Sequence, residues 1–214
     1  MTARGKFLVL EGIDGCGKST QLRHLATWLP SSGLMPPGAG LICSREPGGT
    51  ALGLALRQLL LYPPEGLAPH SRTELLLYAA DRAQHVQQCI EPALAAGNWV
   101  LCDRFSGSTA AYQGYGRLLD IDELKRFNNW AIAGNWPDLV VFIDVPLDTL
   151  LERLKKRELD RFEREDRAFF ERIHAGFTAM AASDPQRWLV IDGTPPKDEL
   201  ASTIATAVKH RLGI

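Results

Sequence analysis

The stretch Phe7-Leu8-Val9-Leu10-Glu11-Gly12-Ile13-Asp14-Gly15-Cys16-Gly17-Lys18-Ser19 joins a short apolar run to a glycine-rich turn. From Gly12 onward it matches the pattern G-x-x-x-x-G-K-[ST]. Glycines let the backbone curl so that successive N–H groups point inward at a phosphate, and the N-terminus of the following helix adds its positive end. Within Gly12 to Thr20, Lys18 can reach β- and γ-phosphates, and the Ser19 hydroxyl can bind Mg²⁺. Phe7–Leu10 has strand length, and Leu22, Leu25, Ala26 and Leu29 share one helical face. A strand before the loop and a helix after it are the context in which such a loop binds a nucleotide.

Four more apolar runs of strand length follow: Leu41–Cys43, Trp99–Cys102, Leu139–Ile143 and Trp188–Ile191. None alternates, which is how strands covered on both faces of a parallel sheet read. Helical patterns separate them, among them Leu200, Ile204, Val208 and Leu212 on one face. This alternation predicts an α/β fold of βαβ units, with five parallel strands and helices on both faces. Pro30–Gly40 and Tyr62–Pro69 read as loops, too short to link independent domains, so residues 1–214 are expected to form one domain.

A net charge of −1 gives no electrostatic footprint for nucleic acid, so phosphate binding must come from locally placed groups. No apolar run approaches membrane-span length, and the N-terminus lacks the features of an export signal. Cys16, Cys43, Cys89 and Cys102 are scattered, with no C-x-x-C pair, and read as free thiols of a reducing compartment. The expected location is cytoplasmic, with neither membrane nor nucleic acid as partner.

Ligands of an open parallel sheet sit off the carboxyl ends of its strands. The second strand leads into Ser44-Arg45-Glu46-Pro47-Gly48-Gly49-Thr50 and the third into Asp103-Arg104-Phe105. Arg45 and Arg104 are therefore candidates for clamping a second phosphate through planar guanidinium groups. The competing reading pairs Arg45 with Glu46 or another surface carboxylate, and Arg104 with Asp103. Asp103 can hold Mg²⁺ through water or orient an acceptor phosphate. In the helix expected over about 71–95, Glu74, Tyr78 and Arg82 fall four apart on one face. A ring one turn before an arginine can stack on a pyrimidine, but on spacing alone a core tyrosine beside a salt-bridged arginine is the better reading. Residues 152–167, ERLKKRELDRFEREDR, mix basic and acidic side chains as a solvated helix would.

LEGIDGCGKSTQ, SREPGGT, LLLYAADRAQH and DRFSGSTAAYQG, in this order, resemble the thymidylate kinase family. With ELDRFE the likeness spans most of residues 6–180, and Asp103-Arg104-Phe105 with Ser108 and Ala111-Tyr112-Gln113 is its most specific part. The resemblance implies a P-loop NTPase fold and a nucleotide kinase that moves the γ-phosphate of ATP, as its Mg²⁺ complex, onto dTMP. It implies that Tyr78 stacks on the base and Arg82 reads it, with tyrosine standing where the family usually has phenylalanine. It further implies that Asp14 accepts from the sugar 3′-hydroxyl, Tyr112 crowds the 2′ position and Gln113 contacts the base. Ser108 would hold the base or the Arg104 region. Some relatives carry an arginine in the phosphate loop where this chain has Gly15. The charged segment at about 152–167 is then expected to be a short lid supplying that charge, from Arg153, Arg157 or Arg161, with Arg157 foremost. A homodimer is also implied. A kinase for another nucleoside monophosphate, and a nucleotide-dependent switch, are the alternatives. For Cys16, a space-filling thiol is favoured over a reactive one.

Overall fold

The structure, a computed structural model, describes residues 3–155 and 159–213. Strands β1 (Phe7–Glu11), β2 (Leu41–Arg45), β3 (Trp99–Asp103), β4 (Leu139–Asp144) and β5 (Trp188–Asp192) form one sheet in the order β2-β3-β1-β4-β5. All neighbours run parallel, so every carboxyl end lies on one edge. The register sets Arg45 beside Asp103 and Leu10 beside Asp103, which gathers the ends of β2, β3 and β1. All five expected strands are present, each one or two residues longer than its apolar run because the polar end residue still joins the ladder.

Covering both faces are α1 (Lys18–Trp28), α2 (Ala51–Leu61), α3 (Ser71–His85), α4 (Glu91–Ala95), α5 (Ser106–Thr109), α6 (Ile121–Ile132), α7 (Leu147–Leu154), α8 (Arg167–Ser183) and α9 (Lys197–Arg211). The expected helix over 71–95 is continuous, with a π-helical turn at Val86–Ile90 joining α3 to α4. Pro92 sits just beyond that turn. Its ring would crowd the carbonyl four residues back, and the wider turn relieves the clash. A second π-helical stretch, Ala110–Gly116, extends α5 and carries Tyr112 and Gln113.

One apolar core runs through the sheet, from Phe7 and Leu10 of β1 through Phe142 of β4 to Phe169 and Phe177 of α8. Each such fully buried side chain contributes about 1.5–3 kcal/mol relative to exposure. The expectation that every strand is covered on both faces holds for β1 and nearly so for β3 and β4, and fails at the margins. Ile42 and Cys43 of β2 and Val190 of β5 are exposed, because edge strands lie at the limit of the covering helices.

Candidate active site

The phosphate loop takes its shape from glycines. Gly12, Gly15 and Gly17 have φ of 145°, 86° and 100°, values that a side chain disfavours. A Cβ on Gly12 would also stand 2.8 Å from the Ile143 carbonyl oxygen. Lys18, 6% exposed, donates through Nζ to the carbonyl oxygens of Gly12 (3.0 Å) and Ile13 (3.1 Å), which points the ammonium across the mouth of the loop. Ser19 Oγ donates to Asp103 Oδ2 at 2.9 Å. Two hard oxygen donors side by side at a phosphate loop suit Mg²⁺, which takes few protein ligands and completes its shell with phosphate and water. Cys16 is buried under the loop, as a space-filling residue would be.

Arg104 faces this loop from the end of β3, in a left-handed backbone conformation (φ 71°) unusual for a side-chain-bearing residue. Its Nη1 donates to Gly12 O (2.9 Å) and Ser108 Oγ (2.8 Å), and Nη2 to Asp14 Oδ1 (2.8 Å) and Tyr112 Oη (3.2 Å). Tyr112 Oη in turn donates to Asp14 Oδ2 at 2.9 Å. Burial pushes the Asp14 carboxyl up, but Arg104 and Lys18 outweigh it and hold the carboxyl well below the usual range. The competing pairings are absent: Asp103 binds Ser19, and the Glu46 carboxylate turns inward to Arg82 and His85. Arg45 is exposed and lines the open cavity in front of the loop, with Lys18, Ser19, Asp103 and Arg104.

A second cavity adjoins the first and shares Asp14, Arg57 and Arg104 with it. Tyr78, Arg82, Ser108, Tyr112 and Gln113 line it, so the structure brings the expected base-and-sugar residues to one place. Arg82 is 1% exposed, ion-paired with Glu46 Oε2 (2.8 Å) and donating to Asn128 Oδ1 (2.8 Å). Its Nε has no hydrogen-bond partner among the described residues. The salt-bridged arginine and the cavity-lining arginine are thus the same group. Gln113 Nε2 donates to Glu74 Oε1 at 2.7 Å.

The charged segment is not one solvated helix. α7 ends at Leu154, and residues 161–164 form turns before α8. Arg153 Nη1 donates to the Gly15 carbonyl oxygen at 3.1 Å, which places this arginine beside the phosphate loop. Arg157 lies outside the described residues. Arg161, the remaining candidate of that segment, is paired with α3. Its guanidinium reaches back to Glu74 Oε2 (2.5 Å) and to the carbonyl oxygens of Leu60 and Pro69, against the Phe162 ring. The buried Glu74 carboxylate attracts it because an ion pair away from water is strong, and no spacing pattern reveals a partner 87 positions away.

Three residues of the site escaped the sequence. Arg57 of α2 lines both cavities and donates to the Pro47 carbonyl oxygen (3.0 Å), placed there only because α2 folds back over the loop after β2. Phe162 stands edge-on to Tyr112 at 5.9 Å and closes the second cavity. Glu11, buried at the end of β1, was legible as an acid directly before Gly12, but its partners were not.

Comparison with known proteins agrees with this geometry. The thymidylate kinase family model matches residues 10–204. Curated proteins named thymidylate kinase from Synechococcus sp. (strain RCC307) and Prochlorococcus marinus (strain MIT 9313) are 56% and 53% identical, each match covering 98% of this chain and 98% and 96% of the relative. A crystal structure of thymidylate kinase from Ehrlichia chaffeensis, 30% identical, superposes with a TM-score of 0.77 over 96% of this chain and 99% of that one. A phosphate loop, an arginine-lined cavity in front of it and full-length kinship together place the chain in the thymidylate kinase family, whose members phosphorylate dTMP to dTDP.

Proposed function

We propose that this chain forms a single nucleotide kinase domain in which the two adjoining cavities hold ATP phosphates and dTMP for in-line transfer of the γ-phosphate. The carrying observation is that Lys18 and Ser19 face Arg45, Arg57 and Arg104 across one cavity, with an aromatic-lined cavity continuing from it. The attacking group is the phosphate of dTMP, whose second ionisation lies near pH 6, so at neutral pH it is already an anion and needs no general base. The barrier is then the approach of two anions, and the work of the protein is to place cations and exclude water.

In this reading Gly12–Thr20 cradles the donor phosphates, and Lys18 bridges them. Ser19 and Asp103, the latter directly or through water, would hold Mg²⁺, which neutralises charge on the donor phosphates when bound. Arg45, Arg57 and Arg104 take the acceptor phosphate. Asp14, held ionised by Arg104, accepts from the 3′-hydroxyl. Tyr78 stacks on the base, Arg82 and Gln113 read its edge, and the Tyr112 ring excludes a 2′-hydroxyl. Arg153, beside Gly15, and Arg157 supply the transition-state charge from a lid at about 152–167, where Gly15 leaves the loop itself without it.

A homodimer fits the exposed Leu52, Leu59, Leu76, Phe127 and Trp130, carried by α2, α3 and α6, which pack side by side. Sedimentation would check this, a monomer at working concentration refuting it. No described helix is long and apolar enough to cross a membrane, and the four cysteines are free, which supports a cytoplasmic setting.

The reaction is tested by coupled ADP release with ATP and Mg²⁺, offering dTMP, dUMP, UMP, CMP, AMP and GMP separately. Turnover is expected to be greatest with dTMP and feeble with UMP. A ribonucleotide in the lead would overturn the assignments of Tyr78, Arg82 and Tyr112. Acceptor-independent hydrolysis would favour a nucleotide switch.

A further inference from the structure

We infer that Glu11 is a positioning residue for the acceptor phosphate, acting through Ser108 on Arg104; this rests on the reading that Arg104 binds that phosphate. Glu11 ends β1 and is 1% exposed. Its Oε1 accepts from the backbone N–H groups of Phe105 and Ser108, both at 2.9 Å, and its Oε2 accepts from the Ser108 hydroxyl at 2.6 Å. The Ser108 oxygen accepts from Arg104 Nη1 at 2.8 Å.

Direction matters in this chain of bonds. A serine hydroxyl has one proton and two lone pairs. Committing the proton to the carboxylate leaves only lone pairs facing Arg104, so the guanidinium meets an acceptor in a fixed place. The same carboxylate ties down the turn that follows Arg104, a residue whose left-handed backbone is unfavourable and persists only if its surroundings hold it. There is no slack: a Cβ on Gly107 would lie 2.9 Å from both Glu11 Oε1 and the Trp188 ring.

Glu11→Gln inverts the polarity without changing the shape. Two backbone donors force the amide oxygen into the Oε1 position, so the NH2 faces Ser108, occupies one of its two lone pairs and leaves the hydroxyl proton without the acceptor that held it away from Arg104. The full chain would be titrated calorimetrically with dTMP and with thymidine, which lacks the phosphate, using wild type, Glu11→Gln, Ser108→Ala and the double variant. We expect Kd for dTMP to rise about tenfold in either single variant, about 1.4 kcal/mol. Kd for thymidine should stay within about twofold, and the double variant should be no weaker than the weaker single one, since both cut one path. Equal loss for dTMP and thymidine, additive losses, or unchanged dTMP binding would each overturn the inference. Should Glu11→Gln not fold, Glu11→Asp, which keeps the charge but withdraws it from Ser108, carries the same comparison. Arg104→Lys separates the two levels. If it leaves dTMP binding intact, the reading of the site fails; if it weakens dTMP while Glu11→Gln does not, only the role of Glu11 fails.

Discussion

Asp81→Asn should stabilise this protein at pH 8 and do little below about pH 4. Asp81 of α3 is 1% exposed. Its Oδ1 accepts from the Gly48 backbone N–H at 3.1 Å, but Oδ2 is buried with no hydrogen-bond partner among the described residues. Burial first, and the nearby Glu46 carboxylate second, push the carboxyl up to about 6, against the partial relief of the Gly48 N–H, Arg82 and His85. The unfolded chain titrates at about 3.9. Between these values the folded state binds the proton that the unfolded state has lost, so the contribution of Asp81 to stability is full below about pH 4 and lost as pH rises through about 6. An interval of about two pH units, at 1.36 kcal/mol each, gives a cost of roughly 3 kcal/mol above pH 7. Asparagine keeps the acceptor for Gly48 and removes the charge. For a chain of this length each kcal/mol moves Tm by about 2–4 °C, so a rise of about 6–12 °C is expected at pH 8. Thermal melts of both proteins at half-unit steps from pH 5 to 8 read the difference directly. A variant that melts lower at pH 8, or a gap that does not widen with pH, would refute the account of Asp81 as a strained, ionised carboxylate.

Glu46→Ala leaves Arg82 buried with Asn128 as its remaining acceptor, and breaking one side of such a pair costs about 3–5 kcal/mol. Tm should fall by at least about 6 °C, and a fall under about 2 °C in calorimetry would show that the pair is not what holds Arg82. Arg153→Ala should lower kcat by a factor on the order of 10³ with little change in the KM for dTMP, as loss of an in-chain arginine finger does. Arg161→Ala, which removes the partner of Glu74 Oε2, should instead raise that KM, and a steady-state comparison showing the reverse pattern would exchange their roles. Tyr112→Phe should keep the preference for dTMP over UMP, since the ring remains, whereas Tyr112→Ala should erode it; equal selectivity in all three proteins would remove Tyr112 from sugar discrimination. Below about pH 6, kcat/KM for dTMP should fall as the acceptor phosphate is protonated. No further acid limb from Asp14 is expected down to pH 5, and one that vanished in Asp14→Asn would contradict the low position of that carboxyl.

Much of this protein is written locally. A phosphate loop needs glycines, a lysine and a hydroxyl at set intervals, so Gly12 to Ser19 is legible wherever a strand precedes it and a helix follows. Five unbroken apolar runs separated by helical patterns dictate a parallel sheet, because only strands covered by helices are apolar on both faces. Arg45, Asp103 and Arg104 could be placed for the same reason, since parallel strands deliver their carboxyl ends to one edge.

Pairings across the chain were decided by the tertiary structure. Arg82 was readable as either a salt-bridged or a ligand-facing residue, and packing makes it both, since Glu46 reaches it only after the loop beyond β2 folds under α3. Arg161 shares its segment with Arg153, yet one anchors on Glu74 and the other on the Gly15 carbonyl, because α7 carries Arg153 and ends at Leu154, before Arg161. Arg57, Phe162 and the partners of Glu11 left no periodic trace. Strand and helix periods encode which face a side chain occupies, whereas hydrogen bonds of buried charges depend on distances that exist only once the sheet and its helices have closed around them.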